Sequence, residues 1–95
     1  MKVLLQEVLY KVAIRSVAGK TGIEIKDVQI DSRKVKPGTA FVAVKGVAAD
    51  GHQFIEQAIS SGAVAIIAEQ LPERLPDTVV YVQVENSAIA AALIA

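Results

Sequence analysis

The sequence predicts an α/β domain, a small three-layer-like unit with a mixed, largely parallel sheet flanked by helices. Three observations lead there. Residues 40–44 (AFVAV) and 63–68 (AVAIIA) are apolar without alternation, as strands covered on both faces are. The segment between them, 52–61, carries Phe54, Ile55, Ala58 and Ile59 at helical spacing. Strand, helix and strand in that order form a βαβ unit, with parallel strands and a right-handed crossover. The chain has 95 residues and is 53% hydrophobic, which suits one domain with one buried core.

The remaining elements follow in chain order. Val3, Leu4, Leu5, Val8 and Leu9 recur at helical spacing, so residues 2–10 read as a short amphipathic helix covering the sheet. Residues 12–17 alternate loosely and read as a short strand, and Gly19 and Gly22 bracket a turn. Ile23, Ile25 and Val28 are set against Glu24, Lys26 and Asp27, with Ile30 closing the pattern. A strand over 25–30 is expected there. It delivers Asp31, Ser32 and Arg33 at its carboxyl end, where open α/β sheets place their ligands. Pro37-Gly38 is a type II turn dipeptide with no other role expected. Asp50 begins the helix and is expected to accept from the N–H of Gln53, with Gln53 reaching back as in a capping box. Gly62 is its C-terminal stop. Residues 71–78 form a loop with two prolines, and 79–84 read as a strand. Asn86 or Ser87 caps a last helix, AIAAALIA, which has no polar face. Such a helix must pack on something, so the chain is expected either to continue into a further domain or to dock this helix on the sheet.

Composition excludes several function classes. Ten basic and ten acidic residues balance, and only Tyr10, Phe41, Phe54 and Tyr81 are aromatic. Nothing draws a polyanion or offers a base-stacking platform, so no nucleic acid is expected as partner. Cysteine is absent, which removes disulfide scaffolds and thiol chemistry. Gln6 and Glu7 interrupt the first apolar run, which therefore does not read as a signal peptide. The longest apolar run, 88–95, is far below the roughly 20 residues that span a bilayer. The expectation is a cytoplasmic domain with no membrane partner.

The stretch 31–63 concentrates the polar and glycine positions, yet holds no metal cluster, nucleophilic triad or phosphate loop. Its chemistry suits holding a ligand. Ser32 is the first candidate, because a small hydroxyl at a strand end can donate to or accept from a polar group of a ligand. The competing reading is a local bond to the backbone of Arg33 or Lys34. Asp31 reads as structural, orienting Arg33 or capping a turn, and Arg33 as a phosphate donor or a surface ion pair. His52 has no partner acid or second ligand in sequence, so no metal is expected there. It sits in the first turn of a helix, whose free N–H groups favour an anion unless Asp50 satisfies them. Gly46 and Gly51 read as positions of close backbone approach.

The spacing of Asp31-Ser32-Arg33, Val35, Pro37-Gly38, Phe41-Val42-Ala43, Gly46, Asp50-Gly51-His52, Phe54-Ile55, Ala58-Ile59 and Gly62-Ala63 resembles the N-terminal, uridine-binding domain of the Mur ligases. These are ATP-dependent enzymes that add amino acids to the UDP-N-acetylmuramoyl peptide of bacterial cell wall. The N-terminal helix and the closing Val84-Glu85-Asn86-Ser87 resemble the third-step branch, which adds diaminopimelate or lysine. The D-Ala-D-Ala-adding branch and a stand-alone α/β binding module are the alternatives. The resemblance implies a substrate-binding domain over 1–85, with 86–95 leading toward central and C-terminal domains. It implies contacts to the UDP end of the UDP-N-acetylmuramoyl dipeptide at Ile30, Ser32, Val47, Ala48 and Ala49. Arg33, Gly51 and His52, from their own chemistry, are then read on the diphosphate side. Residues 47–49 are apolar here, so contacts there would run through backbone or van der Waals surface. The family's phosphate loop, G-T-x-G-K-[ST], does not occur in these residues. ATP and Mg2+ are therefore implied for the whole enzyme and not for this chain, which is expected to be inactive alone.

Overall fold

The computed structural model describes residues 3–45, 50–70 and 78–94. Its centre is a five-stranded sheet in the order β2-β7-β6-β5-β4. These strands are Ile14–Ala18 (β2), Asp27–Gln29 (β4), Thr39–Val42 (β5), Ala65–Ala68 (β6) and Val80–Val84 (β7). Strands β4 to β7 run parallel, and β2 closes one edge antiparallel to β7. The fold is thus the mixed, largely parallel α/β arrangement that the sequence predicts. A separate antiparallel pair joins β1 (Val3–Leu4) to β3 (Glu24–Ile25).

Period-two alternation divides the central strands between two cores. Ala40, Val42, Ala65, Ile67, Val80, Val82 and Val84 face one side, with Leu5, Leu9, Ile25 and Ala90. Phe41, Ala43, Ile66, Ala68 and Tyr81 face the other, with Val35, Ile55 and Ala58. Helix α2 (Ile55–Ser60) covers this second core and connects β5 to β6. Every residue of β5 and β6 is buried, which explains why neither run alternates in polarity.

The N-terminal segment corrects the expected 2–10 helix. Val3 and Leu4 are extended and paired with β3, and Leu5 N–H donates to Ile23 O at 2.8 Å. Only Leu5–Val8 (α1) is helical, although Leu5 and Leu9 are buried as the spacing implies. Cross-strand hydrogen bonds from distant residues outweigh the local periodicity.

The expected strand over 25–30 is also divided. Lys26 N–H donates to Gly38 O at 2.9 Å, turning the chain from the small pair into the main sheet. Ile30 lies beyond the end of β4 and is 61% exposed, so it does not close a buried stripe. Asp27 anchors the start of β5, accepting from the Thr39 hydroxyl at 2.6 Å and from Gln29 Nε2 at 2.9 Å. These bonds, that from Thr39 first, hold its carboxyl below the usual range.

Helix α2 ends in a Schellman motif. Ala63 N–H donates to Ala58 O at 3.0 Å and Gly62 N–H to Ile59 O at 3.1 Å, with Gly62 at φ 109°. Pro37-Gly38 forms the expected turn, closed by Thr39 N–H to Lys36 O at 3.1 Å. It does more than turn, because Gly38 N–H also donates to Gly62 O at 3.1 Å and ties this turn to the end of α2.

Helix α3 (Ser87–Ile94) is capped by Asn86, whose Oδ1 accepts from Ile89 N–H at 3.0 Å. It docks through Ser87 and Ala90, while Ile89 and Leu93 remain exposed. Among the described residues no helix is long and apolar enough to cross a membrane.

Candidate functional site

The carboxyl ends of β4 and β5 open into a cleft of about 590 Å³. Ile30, Asp31, Ser32 and Arg33 line one side, and Val44, Gly51, Phe54 and Gln57 the other. The first side is a single 3-10 turn, Ser32–Lys34, capped by Asp31. Asp31 Oδ1 accepts from the N–H of Arg33 at 3.0 Å. The same carboxylate takes the Arg33 side chain in a fork, Nε to Oδ1 at 3.0 Å and Nη2 to Oδ2 at 2.9 Å. The Arg33 hydrogen bonds, side chain first and then backbone, hold the Asp31 carboxyl at about 2. Asp31 is thus the orienting residue that the sequence suggests, and Arg33 forms the ion pair.

Ser32 is 8% exposed and sits at the start of this turn. Among the described residues its hydroxyl meets no hydrogen-bond partner. The local turn bond is made instead by Asp31, which leaves the Ser32 oxygen available to a molecule in the cleft.

The second wall is set by close backbone approach. Lys45 and Asp50 form an antiparallel bridge, and Gly51 N–H donates to Val44 O at 2.8 Å. A Cβ on Gly51 would lie 2.8 Å from Val44 N, so only glycine fits there. Val47, Ala48 and Ala49, and Gly46 before them, lie outside the described residues.

The start of the covering helix corrects the expected capping box. Asp50 Oδ1 accepts from the N–H of His52 at 3.0 Å, while Gln53 N–H donates to the backbone oxygen of Asp50 at 3.2 Å. Gly51–Phe54 is a 3-10 turn leading into α2, which shortens the reach from cap to donor by one residue. Its N–H groups at 51, 52 and 53 all have acceptors within the chain. Gly51 and His52 therefore have no backbone donor left for a diphosphate.

His52 is turned away from the cleft. Its Nε2 accepts from Glu69 N–H at 3.0 Å and Gln70 N–H at 3.2 Å. The ring proton is then on Nδ1, which donates to Asp50 Oδ1 at 2.7 Å. Both ring nitrogens are used in tying the 3-10 turn to the end of β6. The Asp50 carboxyl is held low by the His52 N–H first and the ring second.

Ile30, Ser32, Arg33 and Gly51 thus meet in one cleft, and His52 supports it from behind. Sequence reasoning assigned Val44 to a strand and Phe54 to the core, and passed over Gln57. Phe54 and Gln57 are three residues apart and therefore share a helix face, which is the signal that could have found them.

Among the described residues no group of three His, Cys, Asp or Glu side chains could hold a metal ion. Gly19-Lys20-Thr21 has the ending of a phosphate-loop signature without its beginning. No helix follows it, because the chain passes directly into β3, so it does not build that anion cradle. The cleft lining combines polar side chains with apolar surface.

The fold is an α/β domain with a cleft at the carboxyl ends of parallel strands, where such sheets place their ligands. Comparison with known proteins makes this specific. Residues 24–95 match the family model described as Mur ligase family, catalytic domain, and the chain belongs to that family. It is 42% identical over 93 residues to the UDP-N-acetylmuramoyl-L-alanyl-D-glutamate--2,6-diaminopimelate ligase of Cytophaga hutchinsonii, covering 96% of this chain and 19% of that protein. Among solved structures it resembles the UDP-N-acetylmuramoylalanyl-D-glutamyl-2,6-diaminopimelate--D-alanyl-D-alanyl ligase from Acinetobacter baumannii. The TM-score is 0.79 at 23% identity over 98% of this chain and 20% of that one, a likeness of fold. The MurF ligase from Thermotoga maritima, solved in complex with ADP, is 39% identical with a TM-score of 0.61 over 72% of this chain and 16% of that one. The chain spans about a fifth of the length of the curated relative named here.

Proposed function

We propose that this chain is the part of a Mur ligase that holds the UDP end of UDP-N-acetylmuramoyl-L-Ala-D-Glu, in an enzyme that adds diaminopimelate or lysine to it. The observation that carries this reading is Ser32, a largely buried residue whose hydroxyl has no described partner, lining a cleft of about 590 Å³ at the strand ends. A cleft of that volume suits a nucleotide-sized ligand. Ser32 would bond the uracil edge or a phosphate, Ile30 would give apolar contact beside it, and residues 47–49 would contact the ligand through backbone groups or van der Waals surface. Arg33 would face the diphosphate with its guanidinium already oriented by Asp31.

The relatives named for diaminopimelate addition favour the third-step branch over the D-Ala-D-Ala-adding alternative. Residues 1–85 are the binding unit in this reading, and 86–95 lead toward the central and C-terminal domains. ATP and Mg2+ belong to those domains, which would phosphorylate the D-Glu carboxylate and let the incoming amine attack it. This domain would supply binding energy and orientation, in a cytoplasmic enzyme.

The test is an NMR titration of the chain with UDP and then with UDP-N-acetylmuramoyl-L-Ala-D-Glu. Shifts grouped at residues 30–33 and 44–51 are expected. Shifts confined to the opposite end of the sheet, or none with the whole ligase either, would overturn the assignment.

A further inference from the structure

We infer that Glu69 is a positioning residue for the cleft, holding both flanks of its second wall, one through Ser87 and the other through His52. The inference rests on the reading of the cleft as a nucleotide site.

The parallel ladder between β5 and β6 ends with Ala43 N–H to Ile67 O at 2.8 Å. Beyond it the backbone bond from Gly51 N–H to Val44 O is joined by side-chain contacts. Lys45 N–H donates to Ser87 Oγ at 3.2 Å, and Ser87 Oγ donates to Glu69 Oε2 at 2.8 Å. The same carboxylate oxygen accepts from Ser87 N–H at 2.9 Å. On the other flank, Glu69 N–H donates to His52 Nε2 at 3.0 Å, and His52 holds Asp50 at 2.7 Å. The backbone oxygen of Glu69 accepts from Gln83 Nε2 at 3.0 Å, fixing the hub to β7. The Glu69 side chain therefore fastens Lys45 through Ser87, and its backbone N–H fastens Asp50 through His52, the two partners of the bridge that frames the wall.

Helix capping alone does not account for Ser87. Asn86 already caps α3, so the Ser87 hydroxyl is free to reach across to Lys45. It is fully buried, which makes its bonds geometrically strict. The Glu69 carboxylate also meets the N-terminal turn of α3, where negative charge is favoured. The cleft wall is thereby mounted on the first turn of α3 as well as on the sheet, and ligand affinity should depend on that turn.

The test compares Glu69→Ala, Ser87→Ala and Glu69→Gln, which keeps an oxygen acceptor, in the whole ligase and in this chain. Calorimetry reads the Kd for UDP, amide exchange reads Lys45, and urea unfolding reads stability. Glu69→Ala should weaken UDP binding about tenfold and Ser87→Ala about threefold. The double variant should bind no more weakly than Glu69→Ala, because both act through one chain of bonds. Exchange at Lys45 should quicken in both alanine variants, and Glu69→Gln should recover most of the affinity. In the ligase the effect should fall on KM and spare kcat. A merely structural role would lower the urea midpoint while the folded protein kept its Kd. An unchanged Kd, additive losses or unchanged exchange at Lys45 would each overturn the inference. If Glu69→Ala does not fold, Ser87→Ala and Glu69→Gln carry the same comparison. Failure of the wild-type ligase to bind UDP would instead overturn the nucleotide reading itself, and would be seen before any variant is made.

Discussion

Gly62 and Pro37 are packed so closely that a Cβ on Gly62 would lie 2.6 Å from Pro37 Cα. The contact joins the end of α2 to the turn before β5, and so sets the spacing of helix and sheet beneath the cleft. Gly62 also has φ 109°, which L side chains rarely adopt. Gly62→Ala should therefore cost about 2–4 kcal/mol, adding backbone strain to a clash with backbone atoms that cannot rotate away. Gly22→Ala is the matched control, since a Cβ there meets nothing within 4 Å. It should fall within about 1 kcal/mol of the parent, on the stabilising side if anything. Urea unfolding of the two variants measures the contrast, and equal stabilities would refute the packing argument.

The Asp31–Arg33 fork makes a titration prediction. The Asp31 carboxyl is lowered from its ordinary 3.8 to about 2, by hydrogen bonds from Arg33. A carboxyl depressed in the folded state adds stability above its unfolded value, and that contribution is lost as pH falls through its folded one. The window is thus from about pH 4 down to about 2. Carboxyl-detected NMR should place the Asp31 midpoint near the lower figure in the wild type, and Arg33→Ala should return it toward 3.8. A wild-type midpoint near the ordinary value would show that the fork does not persist in solution.

Ser32→Ala separates binding from stability. The hydroxyl has no partner among the described residues, so its loss should change the urea midpoint little. Affinity for UDP should fall about threefold to tenfold, the weight of one hydrogen bond to a ligand. In the whole ligase KM for the nucleotide substrate should rise while kcat holds. Unchanged affinity would remove Ser32 from the site.

How much of this was legible follows from the range of the interactions. Strands β5, β6 and β7 and helix α2 were readable because apolar runs, helical spacing and Gly62 are local signals that tertiary structure reinforced. The strand read over 25–30 was divided by a bond from Lys26 to Gly38, and the helix read over 2–10 lost its start to pairing with β3. Neither partner is adjacent in sequence, so periodicity carried no trace of it. In the cleft, the strand-end rule placed residues 30–33 correctly at a strand's carboxyl end. The Asp50 acceptor was anticipated, but its donor was displaced by one residue because the turn is 3-10. The set of His52, Glu69 and Ser87 was invisible, since its bonds join residues 17 and 18 positions apart with no motif between them.

Tyr81 gives the least expected prediction. It is 1% exposed within the core beneath α2, and its hydroxyl has no hydrogen-bond partner among the described residues. Burial accordingly pushes its pKa up. An unpaired buried hydroxyl loses its water without recompense, while the ring fills the same space with or without it. Tyr81→Phe should therefore stabilise the protein by about 1 kcal/mol, against the usual direction of core substitutions. Tyr81→Leu, which removes ring volume as well, should destabilise it by about 1–3 kcal/mol through the space left open. Urea midpoints for the pair distinguish the effect of the oxygen from that of the ring. If Tyr81→Phe were instead destabilising by 1 kcal/mol or more, the hydroxyl must be hydrogen-bonded in solution, and the core beneath α2 would contain a polar contact that its apolar neighbours do not supply.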